Sequence, residues 1–129
     1  MTSDSPIWPA QLDHLRLNSD QPSMLADYYA SVFGYHQSDL PDGRFLLQGP
    51  GRRLVVGAGK PGDRPYHGFR LQNRQQLEEV RSFLQGMGVN TEPSPSEIFE
   101  ADAVAVRDPD GWLSVFGLPR ADLPSQKAV

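Results

Sequence analysis

The chain has 129 residues, a formal charge of −4 and no cysteine, which fits one domain able to bury a core without staples and excludes disulfides, thiolate nucleophiles and cysteine-held metals. An acidic balance with no long basic run excludes a nucleic-acid surface, which needs clustered Lys and Arg to displace counterions from phosphates. The opening MTSDSPIWPAQ lacks a basic region followed by an apolar stretch, and no segment approaches the length of a membrane span, so the expectation is a cytoplasmic protein without a membrane partner.

Residues 1–10, rich in Ser, Pro and Asp, read as a flexible arm. The first strand signal is QLDHLRLN, where Leu15 and Leu17 alternate with His14 and Arg16 and so take the opposite face, toward the core. A helix is expected from Pro22, with Leu25, Tyr29, Val32 and Phe33 as its apolar stripe and Gly34 at its end. Three short strands follow, near 35–38, 44–48 and 53–58, punctuated by Pro41-Asp42-Gly43 and Gly49-Pro50-Gly51. The pattern then restarts. PYHGFRLQ reads as a strand, and Asn73 as the N-cap of a helix carrying Leu77, Val80, Leu84 and Met87 and closing near Gly88. A weak strand after Val89, another at 103–107, the turn Asp108-Pro109-Asp110-Gly111 and a last strand at 113–117 complete the second set. Residues 119–129 read as a tail or linker.

The order of elements thus occurs twice, in module one (11–60) and module two (65–118) of a single 11–118 domain. The expected fold is α+β: two βαβββ modules forming a curved, incompletely closed sheet around a cleft, with the helices on the outer face. Two copies are too few for a stacked solenoid.

LDHLRLNSDQPSMLADYYASVFGY and AVAVRDPDGWLSVFG carry a specific resemblance. They resemble the opening strand-helix and the closing hairpin of the vicinal oxygen chelate superfamily, which includes glyoxalase I, bleomycin-resistance proteins and extradiol ring-cleavage dioxygenases. The resemblance covers residues 11–118. It implies a divalent metal in the cleft, held by a His from the first strand of each module and a Glu on the last strand, seven residues after the first Asp of the turn. Two neutral imidazoles and a carboxylate suit Fe(II) or Mn(II) and leave positions open for a chelating substrate and dioxygen.

On that pattern His14 matches the first ligand, whereas counting from Asp108 lands on Val115, which has no lone pair to offer. The second ligand position has two readings. One gives it to His67; the other turns His67, Phe69 and Leu71 under the helix and gives the position to Tyr66, with Gly68 and Arg70 on the same face. The glyoxalase-type Glu on the fourth strand has no counterpart in residues 53–58. Arg16 and Arg70 hold matching places in the two modules, where together they could bind a carboxylate or phosphate, or instead pair with acids such as Asp13, Glu97 or Glu100. Tyr28, Tyr29, Phe33 and Trp112 read as packing residues, and Asp108 and Asp110 as turn residues.

The expected ligand-binding residues are therefore His14, Arg16, Tyr66, Arg70 and Val115, with His14 and His67 as the metal-capable pair. The resemblance implies a non-catalytic, metal-poor N-terminal half of an extradiol dioxygenase-type protein. A stand-alone protein binding a small aromatic or anionic molecule is the second reading. An active Fe(II) or Mn(II) dioxygenase, with Glu97 or Glu100 as an atypical third ligand, is the third. A homodimer, or pairing with a second similar domain, is the expected assembly.

Overall fold

Proline and glycine punctuation sets the element boundaries in the computed structural model, which describes residues 5–123. In chain order the elements are β1 (Gln11–Ser19), α1 (Pro22–Phe33), β2 (His36–Leu40), β3 (Arg44–Gly49), β4 (Arg52–Ala58), β5 (His67–Arg70), α2 (Arg74–Gly86), β6 (Glu92–Pro93), β7 (Val104–Arg107) and β8 (Leu113–Gly117). The fold is α+β, and strand-helix-three-strand occurs twice in succession. Contacts divide the chain into two compact units, Asp13–His67 and Gly68–Ala121, residues 5–12 belonging with the second. Strand order in the first is β2-β3-β4-β1 and in the second β6-β7-β8-β5, so each runs second, third, fourth, first. The duplication read from the sequence is therefore also a duplication of topology.

In the first unit β1 runs parallel to β4, while β2–β3 and β3–β4 are antiparallel. Residues 61–66 stay with this unit because Asn18 N–H donates to the Asp63 carbonyl at 2.9 Å and Arg16 N–H to the Tyr66 carbonyl at 3.2 Å. α1 starts at Pro22, whose fixed φ suits a first turn and whose missing N–H costs nothing there. It ends at Gly34, which takes a left-handed φ of 75° that a side chain would resist. Its inner face sets Leu25, Ala26 and Tyr29 against Phe45, Leu47, Leu54 and Val56. The expected stripe also included Val32 and Phe33, but these are 58% and 56% exposed. Val32 belongs to the row of Met24 and Tyr28, which the sheet does not cover, and the Phe33 ring sits in the last turn among Tyr28, Tyr29 and Tyr35.

In the second unit α2 is capped by Asn73, whose Oδ1 accepts the Gln76 N–H at 2.8 Å. Leu77, Val80 and Leu84 bury against Leu71, Val104 and Phe116, and the Phe69 and Phe116 rings stack with centroids 5.5 Å apart. Met87, expected on this stripe, is exposed because the helix has ended and the residue serves as its C-cap. The buried Gln76 amide accepts from Gln72 N–H and donates to the carbonyls of Pro6 and Ile7. Ile7 and Ala10 pack on the same core. The expected free arm is thus docked over residues 6–10, because a buried amide needs those carbonyls as partners; residues 1–4 lie outside the described residues.

The turn before β8 is tied by Asp108, whose Oδ1 accepts from the N–H groups of Asp110 and Trp112 at 2.9 and 3.0 Å. Trp112 and Tyr28, expected to pack, are half exposed. Of the expected tail, Arg120 N–H donates to the Ile98 carbonyl at 2.9 Å, and residues 124–129 lie outside the described residues. Among the described residues no helix is long and apolar enough to cross a membrane. Replacing the cap by Asn73→Ala should lower the free energy of unfolding by about 1 kcal/mol while Asn73→Asp preserves it, read from urea midpoints at unchanged slope.

Candidate functional site

Register creates the polar face of the first unit. Parallel pairing puts His14 opposite Arg53, and the antiparallel partners carry the row on through Gln48 to His36. Directly opposed residues point to the same face, so these four share one side. The neighbouring row Leu15–Leu54–Leu47 takes the other side, toward α1. Two residues along the polar face comes Arg16, in register with Val55 and Leu46.

His14 is 1% exposed and Gln48 3%, so their polar atoms need partners within the fold. The Asp13 carboxylate supplies one: its Oδ2 lies 2.8 Å from His14 Nδ1 and accepts from Arg53 Nη2 at 2.6 Å. An ionised carboxylate only accepts, so His14 Nδ1 carries the proton of this bond. Burial acts to raise the Asp13 pKa, but the hydrogen bond from His14 and the charge and hydrogen bond of Arg53 outweigh it and hold the carboxyl below its ordinary value. The edge of the imidazole meets Tyr66, ring centroids 5.5 Å apart and planes at 83°. Tyr66, itself 1% exposed, closes that end.

The Arg16 side chain lies across β4 at Gly57, where an added Cβ would stand 2.3 Å from the guanidinium. Glycine at 57 makes room for the arginine, as Gly59 does for the Asn18 amide. The Asn18 Oδ1 is buried without a hydrogen-bond donor.

The remaining expected residues stand elsewhere. His67 opens β5 and is half-buried; Phe69, two residues on, packs on the α2 core together with Leu71. Arg70 is exposed, donates to Gln11 Oε1 at 3.3 Å, and lines a groove with Pro9, Gln11, Leu71 and Gln72. Val115 is fully buried on β8 opposite Ala105. Of the acids considered as pairing partners or third ligands, Asp13 belongs to Arg53 and His14, and Glu100 pairs with Arg74 together with Asp102. Among the described residues no three His, Cys, Asp or Glu side chains gather as a metal site would require. Arg53 and Gln48 escaped sequence reading. Their signal, polar residues interrupting the apolar strands RFLLQG and RRLVVGA, acquires meaning only once register sets them beside His14.

The model of the Glyoxalase/Bleomycin resistance protein/Dioxygenase superfamily matches residues 11–116. Among solved structures, a catechol 2,3-dioxygenase is similar at a TM-score of 0.72 and 23% identity, over 84% of this chain and 41% of that one. Homoprotocatechuate 2,3-dioxygenase from Brevibacterium fuscum, in complex with 3,4-dihydroxyphenylacetate, is similar at 0.72 and 20% identity, over 93% and 41%. The Arthrobacter globiformis homoprotocatechuate enzyme gives 0.70 and 16%, over 84% and 36%. At these identities the likeness is one of fold, and this chain spans about two fifths of those chains or less. No curated protein matches the chain.

The folded value of Asp13 lies below the unfolded one, so its ion pair contributes stability above about pH 4 and loses it as pH falls through the folded value. Asp13→Asn should flatten this acid limb in thermal melts followed against pH. Removing the partner instead, by Arg53→Met, leaves the buried carboxylate with the His14 hydrogen bond but without its counter-charge and should cost about 3 kcal/mol at pH 7, read by chemical denaturation.

Proposed function

The chain belongs to the glyoxalase/bleomycin resistance protein/dioxygenase superfamily, and we propose that it is the non-catalytic, metal-poor N-terminal half of an extradiol ring-cleavage dioxygenase-type protein. The observation that carries this reading is the donor set. A divalent metal of the kind the family implies takes two neutral imidazoles and a carboxylate. Here the position of the carboxylate holds Val115, a fully buried aliphatic side chain. Tyr66, not a histidine, lies against His14, and the nearest carboxylate to that imidazole, Asp13, is already committed to Arg53. A carboxylate on Nδ1 would orient His14 well for a metal on its other nitrogen, but one imidazole does not make a site. The residues present do not fit the metal.

What these residues suit is a small aromatic or anionic molecule. Arg16 can pair with a carboxylate or phosphate, Tyr66 and His14 offer ring edges and hydrogen-bonding atoms, and Asn18 Oδ1 is an acceptor awaiting a donor such as a ligand hydroxyl. In the proposed setting such a domain acts in the cytoplasm as a folded partner to a second, metal-bearing module. The chain's span of about two fifths of the dioxygenases it resembles supports that setting.

The test is anaerobic reconstitution with Fe(II) and with Mn(II), followed by metal analysis and assay of catechol ring cleavage. The expected result is sub-stoichiometric metal, unchanged by His14→Ala, and no cleavage. Stoichiometric metal that His14→Ala removes, or catechol turnover, would sink the reading. At the gene level the expectation is a frame that continues into a second module with two histidines and a carboxylate at the metal positions. A frame stopping at Val129 would favour the stand-alone binding protein.

A further inference from the structure

Alternation divides the side chains at the end of β5. Phe69 and Leu71 pack on the α2 core, so Arg70 between them points to the other side of the sheet. There Arg70 Nη2 donates to Gln11 Oε1 at 3.3 Å, and the two residues line a groove of about 520 Å³ with Pro9, Leu71 and Gln72. That is the size of an ordinary small-molecule site. All five residues belong to the second unit, so the groove is a different place from the His14 and Arg16 face of the first. Elsewhere in this unit arginines face acids: Arg74 meets Glu100 and Asp102, Arg81 meets Glu78, and Arg107 meets Glu92. Arg70 differs. Among the described residues no carboxylate pairs with it, its hydrogen bond goes to a neutral amide, and no acid lines the groove. One wall is supplied by the N-terminal arm. Gln76, 7% exposed, donates to the Pro6 and Ile7 carbonyls at 2.9 and 3.2 Å, and Ile7 and Ala10 pack on the α2 core. These ties hold Pro9 and Gln11 beside Arg70.

We propose that this groove binds a small organic carboxylate, anchored by Arg70 and framed by an arm that Gln76 keeps in place. A guanidinium presents paired N–H groups at the spacing of the two carboxylate oxygens, and its single charge matches a monoanion. With Oε1 turned to the guanidinium, the Gln11 amide keeps its Nε2 hydrogens to donate to the same anion, and the Gln72 amide adds a second neutral donor. The Pro9 ring gives the organic body of the ligand an apolar surface to cover. Gln76 touches no ligand. It is a positioning residue, acting through the carbonyls of Pro6 and Ile7.

Titration of the full chain with benzoate, followed in 15N–1H NMR spectra, tests the proposal. The side-chain amide signals of Gln11 and Gln72 and the Nε–H signal of Arg70 should shift saturably, with a Kd on the order of a millimolar. Benzamide, the same ring without the charge, should shift none of them. Arg70→Gln should weaken benzoate binding by about thirtyfold, whereas Arg52→Gln, which removes the same charge from an exposed position on β4, leaves it unchanged. Gln76→Glu keeps an acceptor for the Gln72 N–H but loses the donors to Pro6 and Ile7. In that variant the signals of residues 6–10 should move to random-coil positions and binding should weaken by about tenfold, although Arg70 is untouched. The proposal is overturned by the absence of saturable shifts, by an affinity that Arg70→Gln leaves unchanged, or by benzamide binding as well as benzoate. Inorganic phosphate binding more tightly than benzoate overturns a carboxylate as the ligand. An arm that stays docked in Gln76→Glu overturns the role of Gln76, and benzoate binding that survives the arm's release removes Pro9 and Gln11 from the site and overturns the groove.

Discussion

The parallel register of β1 on β4 is the constraint from which the rest of the first unit follows. Setting His14 against Arg53 turns one set of alternating residues toward α1 and the other toward the polar face. A slip by one residue would bury His14 and Arg16 against the helix and expose Leu15 and Leu17. The buried Asp13 carboxylate is the electrostatic expression of the same register. It reaches both His14 on its own strand and Arg53 on the next, and only this alignment gives a nearly enclosed imidazole and a nearly enclosed guanidinium a shared counter-charge. Buried charge without such a partner would be expensive.

Duplication supplied a scaffold in which the two copies have been put to different uses. Both units keep the same strand order and set a helix against the sheet. Their polar details do not correspond. The second unit spends a buried glutamine on holding residues 6 and 7, where the first spends a buried carboxylate on an arginine and a histidine. The helices part in the same manner, one turning charge outward and the other an aromatic and aliphatic row. Fold is shared because the core rows are shared; function is open to divergence because the remaining faces are not constrained by packing.

The histidine illustrates how a familiar residue changes meaning with its surroundings. An imidazole at this place in the family's pattern reads as a ligand. In this structure it is enclosed, with the Tyr66 ring at its edge and the Asp13 carboxylate on Nδ1, so it also satisfies a buried acid. The same face carries further hydrogen-bonding groups in Arg16, Asn18 and Gln48.

Much of this was legible in the linear sequence because its causes are local. Pro22 and Gly34 bound α1, Asn73 caps α2, Asp108 ties the last turn, and period-two alternation located β1 and β8 to within a residue or so. The absent carboxylate was equally plain, since counting along one chain from Asp108 reaches Val115. Tertiary structure alone decided the rest. Which acid Arg53 meets depends on two strands forty residues apart; whether residues 6 to 10 hang free depends on an amide seventy positions away. Val32 and Phe33 have the helical spacing of core residues, but how far the sheet extends beneath a helix is not written in the helix. Periodicity fixes which side chains share a face, and only the packed fold determines what, if anything, covers it.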